Sequence, residues 1–236
     1  MGIAIGDTKS IIIIMKLFIV ATPIGNLKDI TLRALEVLKE VDLILAEDTR
    51  RTIKLLNHFK IKKPLISYHQ HSRLQKIEQI IELLKKGKNL ALVSDAGTPG
   101  ISDPGNKLIE LIFKELPETQ ITPIPGASAL TALLSAAGIE TDRFLFLGFL
   151  PMKKHRQDFL RQIVESQYPV VFYESPYKIL KTLKELTSLS AGLKVIVAKE
   201  LTKVFEKIYR GDIKEIIEKI ERDGARGEYA IIIHHP

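Results

Sequence analysis

Apolar runs of four to six residues alternate with amphipathic stretches along the chain, and this alternation constrains the fold more than any other feature. The runs at Leu17–Val20, Leu43–Ala46, Leu65–Tyr68, Leu90–Val93 and Gln120–Ile124 read as strands. Between them, Asp29–Val41, Ser72–Lys86 and Asn106–Glu115 carry apolar residues at helical spacing. Ser72 and Gln75 make a capping-box pattern, and Gly87 supplies the stop. Strands separated by helices form parallel sheets covered on both faces, so the expected class is α/β. Pro123, Pro125 and Gly126 interrupt the pattern, after which a second series begins. Its helices are expected at Ala127–Ala137, Lys154–Ser166, after Ser175-Pro176 and after Asp212. Its strands are expected at Phe144–Phe149, Pro169–Tyr173, Leu193–Ala198, Val204–Tyr209 and Tyr229–Ile233. The expectation is two α/β domains with mainly parallel or mixed sheets, residues 15–124 and 125–236, with a cleft between them. Residues 1–14 are expected to be an N-terminal extension.

Composition narrows the chemistry. The 236 residues are 45% hydrophobic and 27% charged, enough apolar material for sizeable cores. There is no Cys, which removes disulfides, thiolate catalysis and Cys zinc sites. The formal charge of +7 is compatible with a nucleic-acid partner. The apolar run Ile11–Ala21 is broken by Lys16 and is too short to span a membrane, so no membrane partner is expected. No G-x-G-x-x-G, G-x-x-x-x-G-K-[ST] or G-x-S-x-G motif occurs at a strand end. His69-Gln70-His71 and His234-His235 lack metal-site spacing, so no metal centre is expected.

The longest strand-to-helix connection is Ser94-Asp95-Ala96-Gly97-Thr98-Pro99-Gly100-Ile101-Ser102-Asp103-Pro104-Gly105. Connections of this kind are commonly ~2–6 residues. Ligands of open α/β sheets bind at the carboxyl ends of strands, where this loop falls. Between Leu90 and Gly105 there are two carboxylates and no Lys or Arg, a set suited to a neutral or cationic ligand. Ala21-Thr22-Pro23-Ile24-Gly25-Asn26-Leu27 follows the first strand and lies beside the Asp95 loop if the first and fourth strands are neighbours. After the second strand, Glu47 and Asp48 could act as acid or base, and Arg50 and Arg51 could hold a phosphate. That segment reads equally well as a helix start with carboxylates at its positive end. Pro125-Gly126-Ala127-Ser128-Ala129 admits a close approach or merely links two domains. Glu174 meets a ligand or favours a helix start, and Lys153-Lys154-His155-Arg156 neutralises phosphates or is a solvated run.

Taken together, Lys16–Asp29, Glu47–Arg51, Ser94–Gly105, Pro125–Ala129, Phe146–Pro151, Tyr173–Pro176 and Lys199–Glu206 resemble, in order, the small-subunit ribosomal RNA 2′-O-methyltransferases of the tetrapyrrole-methylase superfamily. The resemblance runs from about Met15 to the C-terminus. It implies a cytoplasmic, two-domain α/β methyltransferase, usually a homodimer, that binds S-adenosylmethionine in an interdomain cleft. The implied reaction methylates a cytidine ribose in the decoding centre of the small subunit, acting on its rRNA or on the assembled subunit. Expected cofactor contacts are Pro23, Ile24, Gly25, Asp95, Ala96, Gly97, Thr98, Pro99, Ile101, Ser102, Ser128, Ala129, Tyr173, Glu174, Ala198 and Lys199. The general base is sought among Glu47, Asp48 and Asp103, and RNA contacts among Arg50, Arg51, Lys153, Lys154 and Arg156. Tyr177-Lys178 departs from the His-Arg that often follows Glu-Ser-Pro in the family. Two other functions compete: methylation of a tetrapyrrole precursor, and RNA binding without catalysis.

Overall fold

The computed structural model describes residues 15–69, 72 and 74–235. The expected extension, residues 1–14, lies outside them. The chain divides into two compact units. The first contains β1 (Lys16–Val20), Leu32–Asp95 and Pro104–Ile124. The second contains Ala21–Thr31, Ala96–Asp103 and everything from Pro125 onward. One break falls at the 124/125 junction. The two loops expected to carry the site are grouped with the second unit, although the strands they follow belong to the first.

In the first unit, β1 pairs with β4 (Leu90–Val93) and β5 (Gln120–Ile124). β2 (Leu43–Ala46) pairs with β4 and with β3 (Leu65–Ser67). All pairings are parallel, and the order is β3-β2-β4-β1-β5. β4 is central and every residue in it is buried, which is why its sequence is an unbroken apolar run. The helices are α1 (Leu32–Glu40), α2 (Thr49–His58), α3 (Leu74–Lys85) and α4 (Asn106–Glu115). Ile77, Ile81 and Leu84 of α3 and Leu108 and Ile112 of α4 pack against Leu17, Leu45, Leu90 and Leu92. Gly87, at φ 75°, closes α3 by donating to the Leu84 carbonyl, the left-handed stop its sequence position suggests.

Two local expectations are corrected. α1 begins at Leu32 rather than Asp29, because Asn26 caps a separate 3₁₀ turn, Leu27–Asp29, and Ile30 is extended. α3 begins at Leu74, and the Ser72 hydroxyl accepts from the His69 N–H instead of forming a capping box. The Glu47–Arg51 segment does open a helix, α2, with Asp48 at its N-cap accepting from the Arg50 N–H.

In the second unit, the sheet order is β6-β7-β10-β8-β9. The strands are β6 (Leu145–Phe149), β7 (Val170–Glu174), β8 (Lys194–Lys199), β9 (Lys207–Asp212) and β10 (Tyr229–His234). β6 and β7 are parallel and the other pairs antiparallel, so this sheet is mixed. β10 alternates between two cores. Ile231 and Ile233 face α6 (Arg156–Glu165), α7 (Ile179–Leu189) and α8 (Ile213–Asp223), while Ala230 and Ile232 face α5 (Ala129–Ser135). α8 buries Ile213, Ile216, Ile217 and Ile220, each contributing about 1.5–3 kcal/mol relative to exposure.

Candidate active site

β1 and β4 are neighbours, as the loop placement required. In the first unit, the carboxyl ends of β2 and β4 are tied through Asp95. Its carboxylate accepts from the Asp48 N–H at 3.0 Å, and its own N–H donates to Glu47 Oε2 at 3.2 Å. The Arg51 guanidinium stands 3.4 Å from Asp95 Oδ2. This corrects the expected cradle without cations: α2, which is discontinuous in sequence with the Asp95 loop, delivers one. The Asp95 carboxylate is therefore an organiser of the strand ends rather than an acid left to face a cation. Asp48 bonds the Arg50 side chain through both oxygens, at 3.0 and 2.7 Å, besides capping α2. Arg50 holds the Asp48 carboxyl far below the usual carboxylate range, which makes it a weak base.

In the second unit, the expected cofactor residues come together through backbone. Thr22 and Gly97 exchange two hydrogen bonds, at 2.9 and 3.0 Å. Gly97 has φ 81°, a left-handed conformation that suits glycine. The Thr98 hydroxyl donates to the Ala127 carbonyl at 3.4 Å. A Cβ on Gly126 would lie 3.0 Å from the Ala21 Cβ. A Cβ on Gly25 would collide with Lys203 Cγ and lie 2.9 Å from Thr202 Oγ1. One on Gly148 would lie 2.7 Å from the Ser102 hydroxyl. The segments 21–25, 96–102 and 126–129 thus form one loop cluster, against which the 201–203 turn packs. The Leu130 backbone hydrogen-bonds Tyr173, so Ser128, Ala129 and Tyr173 join the cluster. Asp103 acts electrostatically on Tyr173. Gly126 lies in the segment whose small residues admit a close approach, whereas Leu201, Thr202, Lys203 and Gly148 were not singled out as site residues. Their roles come from contacts distant in the chain, and only the glycines left a trace.

Four expected site residues are corrected. Arg156 is 7% exposed and donates to Glu185 at 2.7 Å, to the Thr182 hydroxyl at 2.8 Å and to the Pro151 carbonyl at 3.2 Å. Four of its five N–H donors are taken up inside the protein, and the side chain is buried away from any phosphate on the surface. Glu174, 2% exposed, belongs to the same network: it accepts from Thr182 and from the Ser175 N–H and lies 3.9 Å from Arg156. Ala198 sits mid-strand between β10 and β9, its side chain in a core. Lys199 is 8% exposed and donates to the Gly224 carbonyl at 2.7 Å. The side chains of all three are buried. Lys153 and Lys154 are exposed, and Tyr177 is 95% exposed. Among the described residues there is no cluster able to hold a metal and no helix long and apolar enough to cross a membrane.

Burial pushes the Tyr173 and Tyr229 hydroxyls up to about 12, with Glu200 and Asp223 adding to the effect at Tyr229. The neutral phenol is therefore favoured in the folded state. Stability from this source is complete below the unfolded value near 10 and is lost as pH rises toward about 12. Denaturant unfolding at stepped pH should show a decline beginning near pH ~10. Tyr173→Phe combined with Tyr229→Phe should reduce it, the remainder falling to Tyr68 and Tyr209, which burial also raises, and an unchanged decline would remove Tyr173 and Tyr229 as its source.

A parallel sheet with an elaborated loop after β4, joined to a mixed sheet unit, defines the class. The model of the tetrapyrrole (corrin/porphyrin) methylases matches residues 16–217, and the chain belongs to that family. Within it the chain groups with proteins named ribosomal RNA small subunit methyltransferase I. It is 45% identical to the one from Thermotoga maritima, over 92% of this chain and 97% of that protein. Identity to the Escherichia coli O157:H7 protein is also 45%, over 92% of this chain and 77% of that protein. Solved structures share the fold at lower identity. Diphthine synthase superposes with a TM-score of 0.70 at 14% identity, covering 93% of this chain and 90% of that one. The uroporphyrin-III C-methyltransferase of Thermus thermophilus, solved with S-adenyl homocysteine, gives 0.62 at 15%, covering 92% and 96%.

Proposed function

We propose that this protein transfers a methyl group from S-adenosylmethionine to small-subunit ribosomal RNA, at the 2′-hydroxyl of a cytidine ribose in the decoding centre. The observation that carries this reading is 45% identity, over nearly the whole length of both chains, to a ribosomal RNA small subunit methyltransferase I. The tetrapyrrole alternative has weaker support, because the solved tetrapyrrole methylases are only 14–20% identical. The protein works in the cytoplasm as a homodimer, on rRNA or the assembled subunit.

The loop cluster fits the donor. Gly25, Gly97 and Gly126 keep its backbone close and free of Cβ atoms, and Thr98, Ser102 and Ser128 add hydroxyls. Pro23–Gly25, Ala96–Pro99, Ile101, Ser102, Ser128, Ala129 and Tyr173 would hold the donor, with Asp95 fixing the strand ends. When bound, it supplies a methyl carbon on a sulfonium: the ribose oxygen forms the new O–C bond, the S–C bond breaks, and the hydroxyl proton passes to a base. Of the three carboxylates, Asp48 is made a weak base by Arg50, and Glu47 holds the Asp95 N–H. Asp103 is the proposed base, because it belongs to the unit that carries the loop cluster and acts on Tyr173 there. Arg50, Arg51, Lys153 and Lys154 orient the RNA backbone.

The test is transfer of labelled methyl to small subunits from cells lacking the protein, with the nucleotide mapped. Label on one cytidine ribose supports the proposal, whereas donor binding with no label in subunits or rRNA overturns it. Asp103→Asn should lower kcat roughly 100-fold or more while donor affinity changes little. A kcat within threefold of the parent would remove Asp103 as the base.

A further inference from the structure

From Thr49 through Ile77 the sequence contains no Asp or Glu. α2 and the connection to β3 lie in this stretch, at the β3 edge of the first unit's sheet. α2 turns Thr52 and Leu56 inward. Helical spacing then sets Arg50 and Lys54 on the opposite, exposed side. Lys60 and Lys62 follow and are also exposed. Arg50 and Arg51 are held by Asp48 and Asp95 at one end of this strip. Lys54, Lys60 and Lys62 make no ion pair with any described residue. Beside them is a shallow depression of about 350 Å³, with aliphatic lining from Ile53, Leu56, Ile61 and Pro64 and polar lining from Asn57, Lys62 and Lys63.

The helix terminus adds a second observation. The Ile61 N–H donates to the Leu56 carbonyl and the Lys60 N–H to the Asn57 carbonyl, the pattern that closes a helix through one left-handed residue. That residue is Lys60, at φ 56°. Glycine takes this conformation without strain, and lysine does not. The chain thus holds a long cation in a position where its backbone is strained. Backbone strain of this kind collects where a side chain has work to do.

We propose that α2, its Lys60 terminus and the Lys62–Lys63 connection form an RNA docking strip, with phosphates on the lysines and a ribose or base face in the aliphatic depression. Charge complementarity identifies the occupant, because an acid-free cationic strip attracts a polyanion. The inference rests on the reading of rRNA as substrate and names a surface that reading does not require.

The test measures affinity for purified small subunits and for a labelled RNA hairpin as salt is varied. The triple variant Lys54→Gln, Lys60→Gln, Lys62→Gln should bind roughly 10- to 100-fold more weakly near 0.15 M salt, with the log–log salt slope reduced by about 2. A control of equal charge, Lys86→Gln, Lys107→Gln, Lys114→Gln, should keep the parental slope. Lys60→Gly separates structure from binding: it should raise the melting temperature yet weaken RNA binding several-fold. An unchanged slope in the first variant, an equal loss in the control, or parental RNA affinity in Lys60→Gly overturns the strip. So does loss of binding to phosphatidylglycerol vesicles with RNA binding intact. If the parent protein itself neither binds nor methylates small subunits, the rRNA reading fails first, and that result is distinguishable from a strip that does not matter.

Discussion

Gly25→Val should lower affinity for S-adenosylmethionine by at least 100-fold and take methyl transfer to background, with the melting temperature nearly unchanged. Gly25 sits on an exposed loop, so its substitution would ordinarily be mild. Here a side chain has no room. Its Cβ would meet Lys203 Cγ, Thr202 Oγ1 at 2.9 Å and the Leu201 carbonyl at 3.1 Å. The opposing turn is braced. Glu200 and Thr202 are both left-handed, and Glu200 accepts from Lys203 Nζ and the Glu228 N–H, each at 2.9 Å. The 21–25 loop must therefore move, and with it the Thr22–Gly97 pairing that sets the cluster. A displacement of about 1 Å at a positioned reactant can cost about 100-fold. Calorimetric titration with the donor checks this, and affinity within threefold of the parent would exclude Gly25 from the donor site.

The largest stability effect is expected at Arg156. Arg156→Ala removes the partner of Glu185 and leaves Glu174, whose side chain is 1% exposed, without its nearby positive charge. Deleting one side of a buried pair costs about 3–5 kcal/mol. For a chain of this size that lowers the melting temperature by about 6–20 °C. Adding Glu174→Gln should recover part of the loss, because it removes the stranded carboxylate. A small thermal shift accompanied by tenfold weaker RNA binding would return Arg156 to the surface role that its neighbours in sequence suggest.

Arg156 also shows where sequence reasoning stops. In Lys153-Lys154-His155-Arg156 all four residues look alike as part of a basic run. The helix distinguishes them: Arg156 is the first residue of α6, and Leu160 and Ile163 follow it on the buried side. Helical spacing could have flagged an inward arginine, and Thr182 and Glu185, three apart on α7, could have been matched to it. The Arg51–Asp95 contact was less accessible, because it depends on β2 and β4 lying side by side. By contrast, α4 and β5 have the bounds their apolar pattern predicts, since both are set by local periodicity and burial. The neighbouring positions of β1 and β4 were legible too, from the two loops that needed each other. The order of the mixed sheet was not, because short apolar strands carry little information about their partners.

The strands β1 and β4 are grouped with one unit while the loops that follow them are grouped with the other. A gene fragment ending at Ile124 would encode all five strands of the parallel sheet, yet also two loops whose packing partners are encoded downstream. The complementary fragment would encode a sheet and its helices without the segments that complete its loop cluster. The two halves therefore cannot be exchanged between relatives as independent cassettes. A chimaera would have to transfer residues 21–31 and 96–103 together with the C-terminal half, so recombination at the obvious midpoint separates pieces that must be inherited together.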